Sequence, residues 1–231
     1  MVQSAITQRG SRLRRMLVVV AAILCGVATQ ALPVRAQEAK GEPVRLVALG
    51  DSLTAGYGLP NSQAFPVRLE AALKAKGLNV TVANAGVSGD TASDGLARVD
   101  WSVPDGTHGV IVELGANDAL RGLDPKVTRA ALDGIIARLK ERGIAVLLAG
   151  MQAPRNLGAE YVSAFDAIYP ELAAKHSIPL HPFFLDGVAT EAKLNQRDGI
   201  HPTAEGVDII VKGILPAVED FVKALQAAKS G

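Results

Sequence analysis

The sequence predicts an α/β fold with a mostly parallel, five-stranded sheet that is covered by helices on both faces. Short apolar, β-branched runs predict the strands, the fifth more weakly than the others, at residues 44–49, 80–83, 110–114, 145–148 and 178–184. Apolar residues at helical spacing predict the helices between and after them, at residues 63–76, 125–142, 159–176 and 203–228. Because the two kinds of segment alternate, the chain is predicted to form successive βαβ units in three layers.

Individual residues support these elements in chain order. The first strand, Val-Arg-Leu-Val-Ala-Leu at 44–49, is almost continuously apolar, as expected of a strand buried on both faces. Leu69 and Leu73 lie four apart in the first helix, and the second helix carries one apolar stripe formed by Leu132, Ile135, Ile136 and Leu139. Pro202 suits the first turn of the last helix.

The 231 residues suffice for one good-sized domain, and 48% hydrophobic with 20% charged residues is a globular composition. The first 36 residues have the pattern of a secretory signal peptide. Four arginines precede an uncharged run at 16–27, and Val34-Arg35-Ala36 offers small residues for cleavage. The run is short for a retained membrane anchor, and Leu24 before Cys25 argues against lipid attachment at that cysteine. We therefore expect an exported protein, periplasmic or secreted, with a leader at 37–43 and a single domain at 44–231.

Removing residues 1–36 takes away five arginines and no acids, which leaves 19 basic and 23 acidic residues, a net charge of −4. This charge argues against a nucleic-acid partner. The only cysteine lies in the removed segment, so no disulfide is expected. We expect no membrane span in the mature chain, and a monomer is favoured over an oligomer.

Three predicted strands end in loops that are rich in glycine and small polar residues, at 50–52, 84–91 and 115–118. The carboxyl ends of parallel strands share one edge of a sheet, where ligands bind in such folds. We therefore expect these loops to open on one rim. Ser52 lies in the first loop, either as a helix cap or as a nucleophile.

A serine nucleophile needs a base, and His201 in Asp198-Gly199-Ile200-His201-Pro202 is the candidate. Pro202 restricts the backbone of His201, and Gly199 permits a tight turn that lets Asp198 reach the imidazole. Ser52, His201 and Asp198 are thus predicted to form a catalytic triad, with a helix-capping turn as the alternative. The remaining histidines, at 108, 176 and 181, are predicted to be structural.

Acyl transfer also needs donors for the oxygen that becomes negative in the transition state. We expect these to be the backbone N–H groups of Ser52 and Gly89 and the side-chain amide of Asn117. Other motifs fit poorly: 86–89 lacks the spacing of a G-x-S-x-G elbow, and 56–58 lacks the third glycine of a dinucleotide loop. No cofactor and no metal site is predicted.

These residues resemble the SGNH, or GDSL-type, hydrolases in four ordered blocks, at 50–53, 88–91, 115–118 and 198–202. The similarity is greatest to the exported bacterial arylesterase and thioesterase/lysophospholipase branch, over residues 44–225. The resemblance implies a flavodoxin-like fold, and it assigns the same triad and the same oxyanion donors by position. Ala116 departs from the glycine that is common in this branch, and Asp51 is assigned to holding the loops together.

The resemblance implies hydrolysis of aryl esters, of short or medium acyl esters, and of thioesters or lysophospholipids. An apolar acyl groove is predicted from Leu120, Leu123, Met151, Pro154 and Phe183. Two alternatives remain open, a carbohydrate O-deacetylase with the same triad and a non-catalytic flavodoxin-like binding protein.

Overall fold

The structure is a computed structural model, and it describes residues 42–229. The predicted signal peptide and most of the predicted leader lie outside these residues. The strands are β1 Val44–Gly50, β2 Val80–Gly86, β3 Gly109–Glu113, β4 Ala145–Ala149 and β5 Leu180–His181. The helices are α1 Ser52–Ala55, α2 Phe65–Ala75, α3 Ala92–Ser102, α4 Ala116–Leu120, α5 Pro125–Glu141, α6 Ala159–Asp166, α7 Ile168–His176 and α8 Ala204–Lys229. Short 3₁₀ turns occur at Asn61–Gln63 and Arg155–Leu157.

The five strands are all parallel and lie in the order β2-β1-β3-β4-β5, which confirms the predicted sheet. The chain moves from β1 to one side through α2, and then returns past β1 to β3 through α3. Because such crossovers are right-handed, this reversal puts α2 and α3 on opposite faces of the sheet. Helix α8 packs beside α2, while α5 packs beside α3 and α7.

The reversal creates a crevice between the carboxyl ends of β1 and β3, where open α/β sheets bind their ligands. The register brings the strand ends level, since Gly50 of β1 lies opposite both Gly86 of β2 and Glu113 of β3. All five residues of β3 are buried, as the centre of the sheet requires. The three loops therefore open on one rim, as predicted.

The short helices α1 and α4 were not predicted, and four further elements differ from the sequence prediction. Helix α3 was not predicted, and β2 continues to Gly86 into the segment predicted to be a loop. The predicted helix 159–176 is two helices that meet at Ala167. Strand β5 is only two residues long, because Pro182 follows it directly and has no N–H to donate to a ladder.

Candidate active site

Ser52 is the first residue of α1, directly after the end of β1. Asp51 caps the helix by accepting a hydrogen bond from the Leu53 N–H at 2.9 Å. The main chain then turns away at Gly56, whose N–H donates to the Ser52 carbonyl at 3.1 Å. The serine is 8% exposed, and it lines a cavity that opens at the carboxyl edge of the sheet.

His201 contacts Ser52 at the wall of this cavity, although the two residues lie 149 positions apart in the chain. His201 Nε2 is 2.9 Å from Ser52 Oγ, and His201 Nδ1 is 2.7 Å from Asp198 Oδ2. The turn between acid and base depends on Gly199, which has a φ of +74°. The second oxygen of Asp198 accepts the N–H groups of Ile200 and His201, each at 3.1 Å.

These hydrogen bonds, led by the one from the His201 side chain, lower the pKa of Asp198 to about 2. The carboxylate is therefore ionised at neutral pH, and it holds the Nδ1–H tautomer, which leaves Nε2 as an acceptor towards the serine. The structure thus brings together the three residues that the sequence predicted as a triad.

The histidine loop is tied to the serine turn by two further residues. Gln196 Nε2 donates to the Tyr57 carbonyl at 2.7 Å and to the Pro202 carbonyl at 3.0 Å. The Tyr57 ring lies over the imidazole, with 4.5 Å between the ring centroids. These contacts fix the position of His201 relative to Ser52.

The three predicted oxyanion donors lie on the wall of the same cavity. Within residues 42–229, the N–H groups of Ser52 and Gly89 have no protein acceptor. Asn117 differs, because its Nδ2 atom donates to Asp51 Oδ2 and to the Asp90 carbonyl, both at 3.0 Å. The amide therefore bridges the loops that follow β1 and β2.

Two buried carboxyl groups lie beneath α1. Burial raises the pKa of Asp51 to about 6, while its hydrogen bonds from Leu53 and Asn117 oppose the shift. Glu113 is fully buried, and desolvation together with the nearby charge of Asp51 raises its pKa well above its usual range. Its Oε2 accepts the Thr54 hydroxyl at 2.7 Å. Asp51 thus holds the loops together, which is the position predicted for it.

The cavity has a volume of about 700 Å³, and its wall is mostly apolar. Leu120, Met151, Pro154 and Phe183 line it together with Ser52, as predicted. Leu123 does not line it. After α4 the main chain of Leu123 is held in a turn, where its N–H donates to the Asp118 carbonyl and its own carbonyl accepts the Tyr161 hydroxyl.

The other three histidines lie apart from the cavity wall. His108 Nδ1 accepts the Arg45 N–H, His176 contacts Asp133, and burial lowers the pKa of His181. Across the described part of the chain, no group of three or more acidic, histidine or cysteine side chains is placed to hold a metal ion. None of the helices in residues 42–229 is both long and apolar enough to cross a bilayer.

Sequence reasoning missed several residues that support the site. Gln196 and Tyr57 brace the histidine, Glu113 lies under α1, and Arg98 reaches the loop that contains Gly89 through Asp90. A Thr91-x-x-Asp94 capping box could have identified α3, on which Arg98 lies. The others have no local pattern that marks them.

Comparison with known proteins identifies similar esterases and thioesterases. A 42% identical relative over 185 residues is an arylesterase from Vibrio mimicus, with 78% of this chain and 90% of that protein covered. Thioesterase 1/protease 1/lysophospholipase L1 of Escherichia coli K12 is 38% identical over 178 residues, which cover 77% of this chain and 84% of the relative.

Among solved structures, AlinE4, an SGNH-hydrolase family esterase, matches with 49% identity and a TM-score of 0.66. The match covers 78% of this chain and 97% of AlinE4. A model of the GDSL-like lipase/acylhydrolase family matches residues 48–209, which span all four blocks. The chain therefore belongs to the GDSL-like lipase/acylhydrolase family.

Proposed function

We propose that this protein is a serine esterase in which Ser52 is the nucleophile, His201 the general base and Asp198 the acid that orients it. The observation that carries the proposal is the continuous contact from Asp198 Oδ2 through the imidazole to Ser52 Oγ, at 2.7 and 2.9 Å. A serine hydroxyl attacks a carbonyl only weakly until a base removes its proton, and Nε2 is within reach of that proton. Membership of the acylhydrolase family makes the chain a carboxylic ester hydrolase.

In the first half of the reaction, Ser52 Oγ bonds to the substrate carbonyl carbon while its proton moves to His201 Nε2. The carbonyl oxygen becomes negative and accepts hydrogen bonds from the N–H groups of Ser52 and Gly89, with the Asn117 amide beside them. The bond to the leaving group then breaks, and the alcohol or thiol departs with the proton from His201. Water attacks the acyl-enzyme by the same route, which releases the acid and restores Ser52.

The apolar wall of the cavity indicates that an acyl chain is the part of the substrate that the cavity binds. Leu120, Met151 and Phe183 give an apolar surface next to the nucleophile, and pockets of about 300–1,000 Å³ suit small ligands. The names of the two curated relatives support aryl esters, thioesters and lysophospholipids as substrates. Within residues 42–229, Tyr57 and Phe183 are the only aromatic lining residues besides the His201 imidazole, which gives an acetylated sugar few surfaces on which to stack.

The experiment that tests the proposal measures hydrolysis of aryl esters from acetyl to palmitoyl by the purified protein, with acyl-CoA and acetylated xylan alongside. We expect the highest turnover on short or medium aryl esters. Ser52→Ala should lower it by roughly 10,000-fold or more, whereas the exposed serine control Ser163→Ala should leave it unchanged. Turnover that survives in Ser52→Ala would contradict the assignment, and activity on acetylated xylan alone would indicate the deacetylase instead.

Export completes the proposal, and it rests on the arginine-rich start and apolar run of residues 1–36. When the full chain is expressed in a bacterial host, we expect the active protein outside the cytoplasm with Gln37 at its N-terminus. Intact-mass measurement of the protein from each compartment tests this. An uncleaved, cytoplasmic active protein would contradict export.

A further inference from the structure

Arg98 is a buried arginine on α3 that faces the sheet instead of solvent. Its guanidinium group uses four of its five N–H donors inside the protein. It donates to the Gly50 carbonyl at 2.7 Å, to the Ala85 carbonyl at 2.9 Å, to Ser102 Oγ at 3.0 Å, and to Asp90 Oδ2 at 2.5 Å. One planar group therefore holds the ends of β1 and β2 and the loop beyond β2.

Two of these acceptors, Gly50 and Asp90, lie next to parts of the proposed oxyanion site. Gly50 is two residues before Ser52, and Asp90 directly follows Gly89. The Asp90 carbonyl also accepts a hydrogen bond from Asn117 Nδ2 at 3.0 Å. Arg98 thus binds the main chain two residues before Ser52 and the side chain of the residue after Gly89. The Asn117 amide donates to the main-chain carbonyl of that same residue, Asp90.

A buried ion pair is costly to desolvate, and an apolar replacement of similar size is often as stable or more stable. The Arg98–Asp90 pair is well buried, with side-chain exposures of 6% and 14%. Its contribution to folding is therefore a weak reason for its presence. The need to bind four acceptors at fixed positions explains the arginine better. A planar guanidinium has donors on three nitrogens, whereas a lysine offers only one nitrogen.

We propose that Arg98 is a positioning residue that sets the distance between the Ser52 turn and the Gly89 loop, so that their N–H groups point at one oxygen. The inference rests on the proposed esterase function and adds to it a residue that never touches the substrate. A displacement of about 1 Å in such a site costs about 100-fold in rate. Loss of the guanidinium should therefore slow the chemical step while the acyl cavity stays intact.

The test compares Arg98→Lys and Asp90→Asn with Arg138→Lys in the full chain. Arg138 is a matched control because it pairs with Asp100 between α5 and α3, both side chains being about half exposed. A fluorophosphonate that labels Ser52 counts the reactive sites in each preparation, so kcat is expressed per labelled site. The substrates are the aryl esters that the wild-type protein hydrolyses.

We expect Arg98→Lys to lower kcat per labelled site by about 10- to 100-fold, with KM within about twofold of wild type. Asp90→Asn keeps the Asp90 main-chain carbonyl but removes the charge, so its loss should be smaller, about 3- to 10-fold. Arg138→Lys should match the wild type. The rate of fluorophosphonate labelling should fall in the same order, because that adduct is also tetrahedral.

A purely structural role predicts a different result, namely fewer labelled sites with the wild-type kcat at each one. Wild-type kcat per labelled site in Arg98→Lys would overturn the proposal. If Arg98→Lys does not fold, Asp90→Asn decides in the same way. Failure of the esterase proposal would be seen separately, as wild-type protein without Ser52-dependent turnover or labelling.

Discussion

The side-chain amide of Asn117 donates a hydrogen bond of 3.0 Å to the carboxylate of Asp51, the residue directly before the proposed nucleophile. The same amide nitrogen also donates to the Asp90 carbonyl at 3.0 Å. An oxyanion would therefore share an Asn117 proton that the protein already holds, whereas the N–H groups of Ser52 and Gly89 have no protein acceptor within residues 42–229. Asn117 thus bridges two loops, and the proposed mechanism gives it a second task, to face the oxygen.

Replacing Asn117 should affect both tasks. We expect Asn117→Ala to lower kcat by roughly 100- to 1,000-fold, the usual loss for an oxyanion donor. It should also lower the free energy of unfolding by about 1–3 kcal/mol, because the buried Asp51 carboxylate loses a donor. Kinetics per labelled serine and urea unfolding measure the two effects. Asn156→Ala, an exposed residue of the Arg155–Leu157 turn, is the control, and a kcat loss below tenfold would argue against the oxyanion role.

Leu120 offers a test of the acyl cavity, because it lines the cavity and is 51% exposed. Leu120→Asp should lower kcat/KM for octanoyl aryl esters by about tenfold or more relative to acetyl esters, since an apolar chain would meet a charge. Val127→Asp is a matched control, with 49% exposure on α5 and no place on the cavity wall. Equal effects on short and long esters would remove Leu120 from the acyl site.

Asp51 predicts how stability depends on pH. Burial raises the pKa of Asp51 to about 6 in the folded state, whereas an unfolded aspartate titrates near pH 4. Between about pH 4 and 6, Asp51 therefore tends to be protonated in the folded state and ionised in the unfolded state. The contribution of Asp51 to the free energy of unfolding falls as the pH rises through that window.

Asp51→Asn cannot ionise, so its stability relative to wild type should increase as the pH rises from about 4 to 6, and then level off. Urea unfolding of both proteins at each pH measures this difference. Asp100→Asn reports the effect of removing an exposed carboxylate from α3. A stability difference that does not vary with pH would show that Asp51 titrates normally.

Gly50 marks the closest approach beneath the nucleophile. A Cβ atom there would lie 2.1 Å from Thr54 Oγ1 and 2.7 Å from the Glu113 carbonyl, both closer than real contacts. Gly50→Ala should therefore destabilise the protein by several kcal/mol, or prevent folding. Gly213→Ala in α8 meets nothing within 4 Å and should instead stabilise it by up to about 1 kcal/mol. Thermal unfolding of both variants tests the contrast, and a stable Gly50→Ala would contradict the close packing.

Most strands and the Asp198–His201 turn could be predicted because each is marked by a local pattern. The strand at 44–49 is an apolar run, and Asp198, Gly199 and His201 occur within four residues. Helix α3 could not be predicted from periodicity, because Gly95 and Arg98 interrupt the apolar pattern of its inward face beside Ala92 and Val99. The sequence does not show whether an arginine is buried or exposed. The burial of Arg98 is evident only in the structure, where its acceptors lie on β1 and β2.

Within the predicted helix 159–176, the break at Ala167 was also marked only weakly. Pro170 was the signal, since proline fits the first turn of a helix, whereas in the interior it removes a backbone hydrogen bond. For the cavity, composition identified apolar residues in the right loops but not which of them face inward. Leu120 and Leu123 are three residues apart in sequence, yet only Leu120 lines the cavity. The turn between them decides this difference, and it depends on contacts with Asp118 and Tyr161.

The 149 positions between Ser52 and His201 also determine when activity can begin. A ribosome adds about 5–20 residues per second, so roughly 7–30 s pass between synthesis of the two residues. During that interval the nascent chain carries a serine with no base to activate it. In the proposed triad, Ser52 gains its base only after His201 has been made and the segment before α8 has docked against the β1 turn. In the proposed mechanism, turnover therefore reports that the segment before α8 has docked against the β1 turn.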